Sequence, residues 1–322
     1  MEMFNLTLSQ LLMMTFLIIL GFFLRKINAL PENTDVAVSK LETFIFTPAL
    51  SLITLMKYCT VENFTKNSKL ILYGLFLGFL ALLIAHLLSG FFVKGAKGDA
   101  VKSSLKNIYT YALTFGNFGF MGNFLILSIF GSEMLFKYTI FNLFLSFLCN
   151  SWGFYVLVPK EEGGLIKNLK KGLLTPPVFA IVIGCILGLL NVEQYIPSFI
   201  TEALKNASSC MGPCAMILAG IVIGGFNIKG LLKNKKIYMV TFLRLIVIPA
   251  FFMVLLHLIG AGKEIMILAL IAYATPMGLN TIVFPAAYGG DTKTGASMTV
   301  ISQSLSAITL PLMYFWFIGI LG

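Results

Sequence analysis

Phe115-Gly116-Asn117-Phe118-Gly119-Phe120-Met121-Gly122-Asn123 and Ala274-Thr275-Pro276-Met277-Gly278-Leu279-Asn280-Thr281-Ile282-Val283-Phe284-Pro285 interrupt two long apolar runs with glycine, proline and carboxamides. Within a hydrocarbon layer each unsatisfied backbone group costs several kcal/mol, so such strings are tolerable only against protein or beside a wet cavity. Glycine permits unwinding and close backbone approach, and asparagine both donates and accepts, which suits a site that binds and releases a polar solute. Pro276 removes a donor and disfavours helix just before it, so a half-helix should end there and leave backbone groups free near Gly278 and Asn280.

The surrounding chain belongs in a bilayer. Of 322 residues, 58% are hydrophobic and 11% charged, and the mean hydropathy is +0.93. That leaves too little polar surface to cover a soluble globule. The net charge of +10 comes from basic residues scattered between apolar runs, with no extended stripe of the kind that binds nucleic acid. The first apolar run lacks a basic region ahead of it and is followed by Arg25-Lys26, so it reads as a retained helix. The five cysteines lie in or beside apolar runs and form no disulfide framework.

At roughly 20 residues per crossing, ten segments can be marked: 7–24, 36–56, 70–93, 107–130, 134–158, 176–190, 200–226, 237–260, 264–288 and 294–321. Lys and Arg concentrate in alternate loops, which places those loops in the cytoplasm and both termini outside. Interrupted segments recur second and fourth in each half, at Thr47-Pro48, Gly116-Asn117, Gly212-Pro213 and Thr275-Pro276. Those four are expected to be broken helices. The fold expected is therefore an all-α polytopic membrane protein of ten helices. Residues 1–158 and 173–322 form two five-helix repeats, inverted because five is odd, and residues 159–172 form a cytoplasmic linker.

Inverted repeats bring both central breaks to the midplane. Half-helix N-termini there would favour a carboxylate without a lysine or arginine. The residues expected to bind the substrate are Gly116, Asn117, Gly119 and Asn123 in one break and Pro276, Gly278, Asn280 and Thr281 in the other. Thr47, Pro48, Ser51, Gly212 and Pro213 are expected on the cavity's opposite wall. Arg244, about two turns into the eighth segment, is either a counter-charge for substrate or lipid phosphate or a snorkelling interfacial residue. Tight helix packing through the glycines, and plain proline kinks, are the structural alternatives to binding. Cys210 and Cys214 lack the further ligands of a metal site, no cofactor is implied, and signatures of membrane enzymes are absent.

These residues resemble the auxin efflux carrier family, which includes plant carriers and microbial transporters of malate- or malonate-like acids. Asn117, Gly122 and Leu125 fall on that family's fourth-helix motif, without its two prolines. Pro276, Gly278, Val283, Phe284 and Tyr288 match its ninth-helix motif in register, and Leu310-Pro311 matches a later Leu-Pro. The resemblance implies two crossed broken helices, an elevator-like or rocking transporter in the plasma membrane, and a homodimer among lipids. The expected activity is transport of a small organic anion by alternating access. The ninth segment has no carboxylate for sodium, and Glu42 is the one acid inside a segment with any claim to carry a proton. Uncoupled efflux is then simplest, since 100 mV supplies about 2.3 kcal/mol per charge. A transporter-like sensor without flux and an ion-coupled dicarboxylate symporter are the alternatives.

Overall fold

The computed structural model describes residues 2–94, 98–158, 174–288 and 292–320, all helix and connecting turns with no strand among them. The 159–172 linker and Asp291 lie outside the described residues. In chain order the helices are α1 (Glu2–Lys26), α2 (Thr34–Tyr58), α3 (Val61–Phe92), α4 (Asp99–Thr114), α5 (Phe118–Phe141), α6 (Leu143–Leu157) and α7 (Pro176–Leu189). They continue as α8 (Ser198–Gly224), α9 (Ile228–Leu232), α10 (Lys235–Leu258), α11 (Lys263–Ala274), α12 (Asn280–Tyr288) and α13 (Lys293–Gly319).

Seven of these are long and apolar enough to cross a membrane: α2, α3, α5, α8, α10, α13 and residues Leu8–Lys26 of α1. With its apolar faces turned outward, the chain is a multi-pass membrane protein. On α3, Leu72, Phe76, Phe79, Leu83 and Leu87 are exposed, as are Phe179, Val182, Ile183 and Ile186 on α7. Such surfaces suit lipid and not water. The converse holds at the centre, where every residue of α11 from Met266 to Ala274 is buried.

Two groups of helices are distinguishable by packing. α1 lies along α8, α7 lies along α2, and α2 also touches α8. The other group joins α3 to α4, α5 and α6, and joins α10 and α13 to α11. Glycines let the backbones of the first group touch. A Cβ at Gly220 would fall on the Ile18 carbonyl, one at Gly21 on the Ile217 carbonyl, and one at Gly188 on the Leu55 carbonyl. Gly220→Leu should therefore force α1 off α8. Overpacking of this kind costs about 1–3 kcal/mol, read as a lower melting temperature of the purified protein; an unchanged value would contradict the close approach.

Two expected breaks are absent. α2 runs unbroken through Pro48, and α8 runs unbroken through Pro213. In α2 a wide π-turn over Glu42–Phe46 precedes Pro48, and its i→i+5 spacing moves the backbone carbonyl that the proline ring would otherwise strike. In α8 Pro213 forgoes one hydrogen bond without ending the helix. α5 carries a kink of its own at Gly131, whose φ +82°, ψ −178° is a conformation open to glycine and to few other residues, one residue past the expected end of the fourth segment.

Candidate functional site at the paired helix breaks

α4 stops at Thr114 because Phe115 turns extended (φ −104°, ψ 112°). α11 stops at Ala274 because Pro276 holds Thr275 extended (φ −65°, ψ 152°). The two interruptions then satisfy each other. Asn117 N–H donates to the Pro276 carbonyl at 2.7 Å, and Gly278 N–H donates to the Phe115 carbonyl at 3.3 Å. Gly116 and Met277 thus form an isolated antiparallel bridge. A Cβ at Gly278 would sit 3.0 Å from the Gly116 carbonyl oxygen, a tight contact that favours glycine. Met277 N–H is taken up by Ser302 Oγ at 3.2 Å, and Thr281 Oγ1 donates to the Gly278 carbonyl at 2.8 Å.

Arg244 closes one side of this bridge. Its side chain is fully buried. Nη1 donates to the carbonyls of Leu113 (3.2 Å) and Thr114 (3.4 Å), and Nη2 donates to that of Ala272 (3.2 Å). The guanidinium therefore caps the C-terminal ends of both α4 and α11, where orphan carbonyls and the negative dipole ends coincide. Tyr273 lies beneath it, 5.8 Å from ring centroid to Cζ. The expected placements, against a substrate or at the interface, are both replaced by this one. The sequence could not show it because the two ends that Arg244 joins come from helices separated along the chain.

On the other side the N-terminal ends of α5 and α12 face a cavity of about 80 Å³ with mixed polar and apolar walls. Phe118, Gly119, Phe120 and Asn123 of α5 and Asn280, Val283 and Phe284 of α12 line it. The amides of Thr281, Ile282 and Val283 in α12 donate to the Gly278 and Leu279 carbonyls, and those of Met121 and Gly122 in α5 to the Asn117 carbonyl, so what the two helices present to the cavity is chiefly the positive end of each dipole. Asn117 caps α5, with Oδ1 accepting from Met121 N–H at 3.3 Å, and its Nδ2 is buried without a partner. The opposite wall is α2, through Thr43, Thr47, Leu50, Ser51 and Thr54, together with Pro177 and Ile181 of α7. No Lys, Arg, His, Asp or Glu is among the lining residues.

Of the residues singled out from sequence, Gly119, Asn123, Asn280, Thr47 and Ser51 line the cavity. Gly116, Asn117, Pro276, Gly278 and Thr281 build the bridge beside it. Pro48 faces an apolar groove between α2, α7 and α8 instead, and Gly212 packs on Phe124; neither Gly212 nor Pro213 is among the lining residues. The wall that sequence reading missed is Asn142, Ser146, Cys149 and Asn150, on and just before α6. Their spacing of four, seven and eight puts them on one helical face, a polar stripe that was legible in an otherwise apolar segment. Cys149 Sγ ties this wall to the break, 3.1 Å from both Asn280 Nδ2 and the Tyr111 hydroxyl.

A profile of the family described as membrane transport protein matches residues 6–314. The chain belongs to that family. An uncharacterized transporter of Methanocaldococcus jannaschii is 26% identical over 311 residues, covering 94% of this chain and 96% of that protein. A membrane transport protein, not an enzyme, is thus the setting for the cavity. Five of the positions that resemble the auxin carriers build the site: Asn117, Pro276 and Gly278 make the bridge, and Val283 and Phe284 line the cavity, whereas Gly122, Leu125, Tyr288 and Leu310-Pro311 are not among its lining residues.

Proposed function

We propose that this membrane transport protein is a secondary transporter that moves small organic anions, carboxylates in particular, across the plasma membrane by alternating access. One observation carries the reading. Four half-helix ends meet at one place, and the protein's buried arginine neutralises the two carbonyl ends while the two amide ends face a cavity lined by hydroxyls, carboxamides and apolar side chains and by no charged one. The positive potential that remains attracts an anion, and no side-chain cation holds it so tightly that release is slow. A cavity of about 80 Å³ favours a compact acid over the drug-sized ligands that occupy roughly 300 Å³ or more.

The architecture proposed with it has ten spans, with α4/α5 and α11/α12 as crossed broken helices, in two inverted repeats, residues 1–158 and 173–322. The 159–172 linker lies in the cytoplasm and both termini lie outside. Support comes from the packing: exchanging the repeats turns the α1–α8 contact into the α7–α2 contact, and these are the two dominant pairings of their group. The cavity lies between α2 and α7 on one side and α5, α6 and α12 on the other. An elevator in which the bundle with both breaks slides against α1, α2, α7 and α8 would expose it alternately to either face.

Asn117→Ala and Asn280→Ala test the reading. Each should lower counterflow of radiolabelled malonate in proteoliposomes by about ten-fold or more, the loss of a hydrogen bond to a charged group being worth about 1.5–3 kcal/mol. Both should elute as folded protein. Wild-type counterflow in both variants would sink the assignment.

A further inference from the structure

Glu42 is the single acidic side chain fully buried among the described residues. It opens the π-turn of α2, and Thr43 beside it and Thr47 one turn on both line the cavity. Both of its carboxylate oxygens are without a hydrogen-bond partner. The turn packs against α7 and α8. The titratable groups those helices bring are Cys185 on α7 and Cys210 and Cys214 on α8, none of them a cation. The charged groups of α8, Glu202 and Lys205, are exposed near its start, and Lys40 on α2 itself is exposed to solvent.

An ionised carboxylate in such a place would forgo water and gain neither donor nor counter-ion, at a cost of several kcal/mol. The neutral acid costs only unmade hydrogen bonds. A charged Glu42 would also repel the anion that the neighbouring helix ends attract, because unlike them it carries a full negative charge in a medium that screens poorly. The two occupancies therefore support each other: a proton on Glu42 favours the anion, and by reciprocity the anion favours the proton.

We propose that Glu42 is a proton-coupling site, taking one proton from water on the open side and releasing it to water on the other with each anion moved. This rests on the anion-transport reading and replaces the uncoupled efflux expected from sequence. For a monoanion the cycle is then electroneutral, and the pH difference, not the membrane potential, sets its direction.

Proteoliposomes and infrared spectroscopy test this together. With the outside acidified by one pH unit and the membrane potential clamped at zero by valinomycin and equal potassium, because one proton does not balance a dicarboxylate's two charges, wild-type protein should accumulate radiolabelled malonate about ten-fold above its level at equal pH, while Glu42→Gln should exchange malonate across equal pH yet ignore the gradient. Exchange without gradient-driven accumulation in the wild type, or accumulation retained in Glu42→Gln, overturns the proposal. No exchange by the wild type overturns the malonate-type substrate reading instead. The second arm needs no substrate: full-length protein in nanodiscs should show a protonated-carboxyl C=O stretch that Glu42→Gln removes. Its absence in the wild type overturns the proton site whatever the transport assay gives.

Discussion

Arg244→Met is expected to yield little stably folded protein. The substitution removes donors from three carbonyls, those of Leu113, Thr114 and Ala272, in a place sealed from water. It also leaves two negative helix ends facing one another with nothing between. Hydrogen bonds to charged groups are worth about 1.5–3 kcal/mol each, and breaking a buried charged cluster by removing one partner costs about 3–5 kcal/mol. That is a large share of the roughly 5–15 kcal/mol by which domains are stable. Arg244→Lys should recover only part of the loss, because an ammonium is a point charge and cannot span both helix ends as the planar fork does. Thermal unfolding of detergent-purified protein, with gel-filtration profiles, checks the order wild type, Lys, Met. A wild-type melting temperature for the Met variant would show that the two ends do not need a cap.

Gly116→Ala should produce nearly the same defect by a different route. The added Cβ would land on Arg244 Nη2 and lie 2.6 Å from Thr275 Oγ1. The guanidinium is held by three carbonyls and cannot swing aside without giving them up. The bridge between Gly116 and Met277 would open in the same movement, freeing the Asn117 and Gly278 amides. The part of the effect that passes through Arg244 must vanish when Arg244 is gone, leaving only the contact with Thr275 Oγ1, so the Gly116→Ala, Arg244→Met double variant should lose clearly less than the sum of the two single losses. Additive losses, each of about 3 kcal/mol or more, would mean that the glycine is needed for some other reason.

The proposed proton on Glu42 changes how the cavity is understood. Helix ends alone make a site that attracts any small anion, and a carboxyl buried next to that site makes occupancy depend on protons as well. The same stretch of α2 thus supplies the hydroxyls of the wall and the acid behind it. Glu42 opens the π-turn, and Thr43 within it and Thr47 just after it line the cavity.

The amino-acid sequence by itself determined the membrane setting, the positions of the two central interruptions and part of the cavity lining. These are legible because they are local. Apolar length decides what spans a bilayer, Pro276 forbids helix at Thr275, and glycines with carboxamides at membrane depth need partners. Local rules also misled at Pro48, which follows a π-turn, and at Pro213, which forgoes one hydrogen bond inside a continuous helix. Only the tertiary structure decided what pairs with what. It joined the breaks through Asn117, Phe115, Pro276 and Gly278 and moved Arg244 from a possible interface position to the cap of two helix ends. It also set α6's polar stripe against Asn280 and buried Glu42 without a partner. The physical reason is common to all four: the energy of a polar group inside a membrane depends on the partner it meets or lacks, and the partners of the first three lie tens to more than a hundred residues away along the chain.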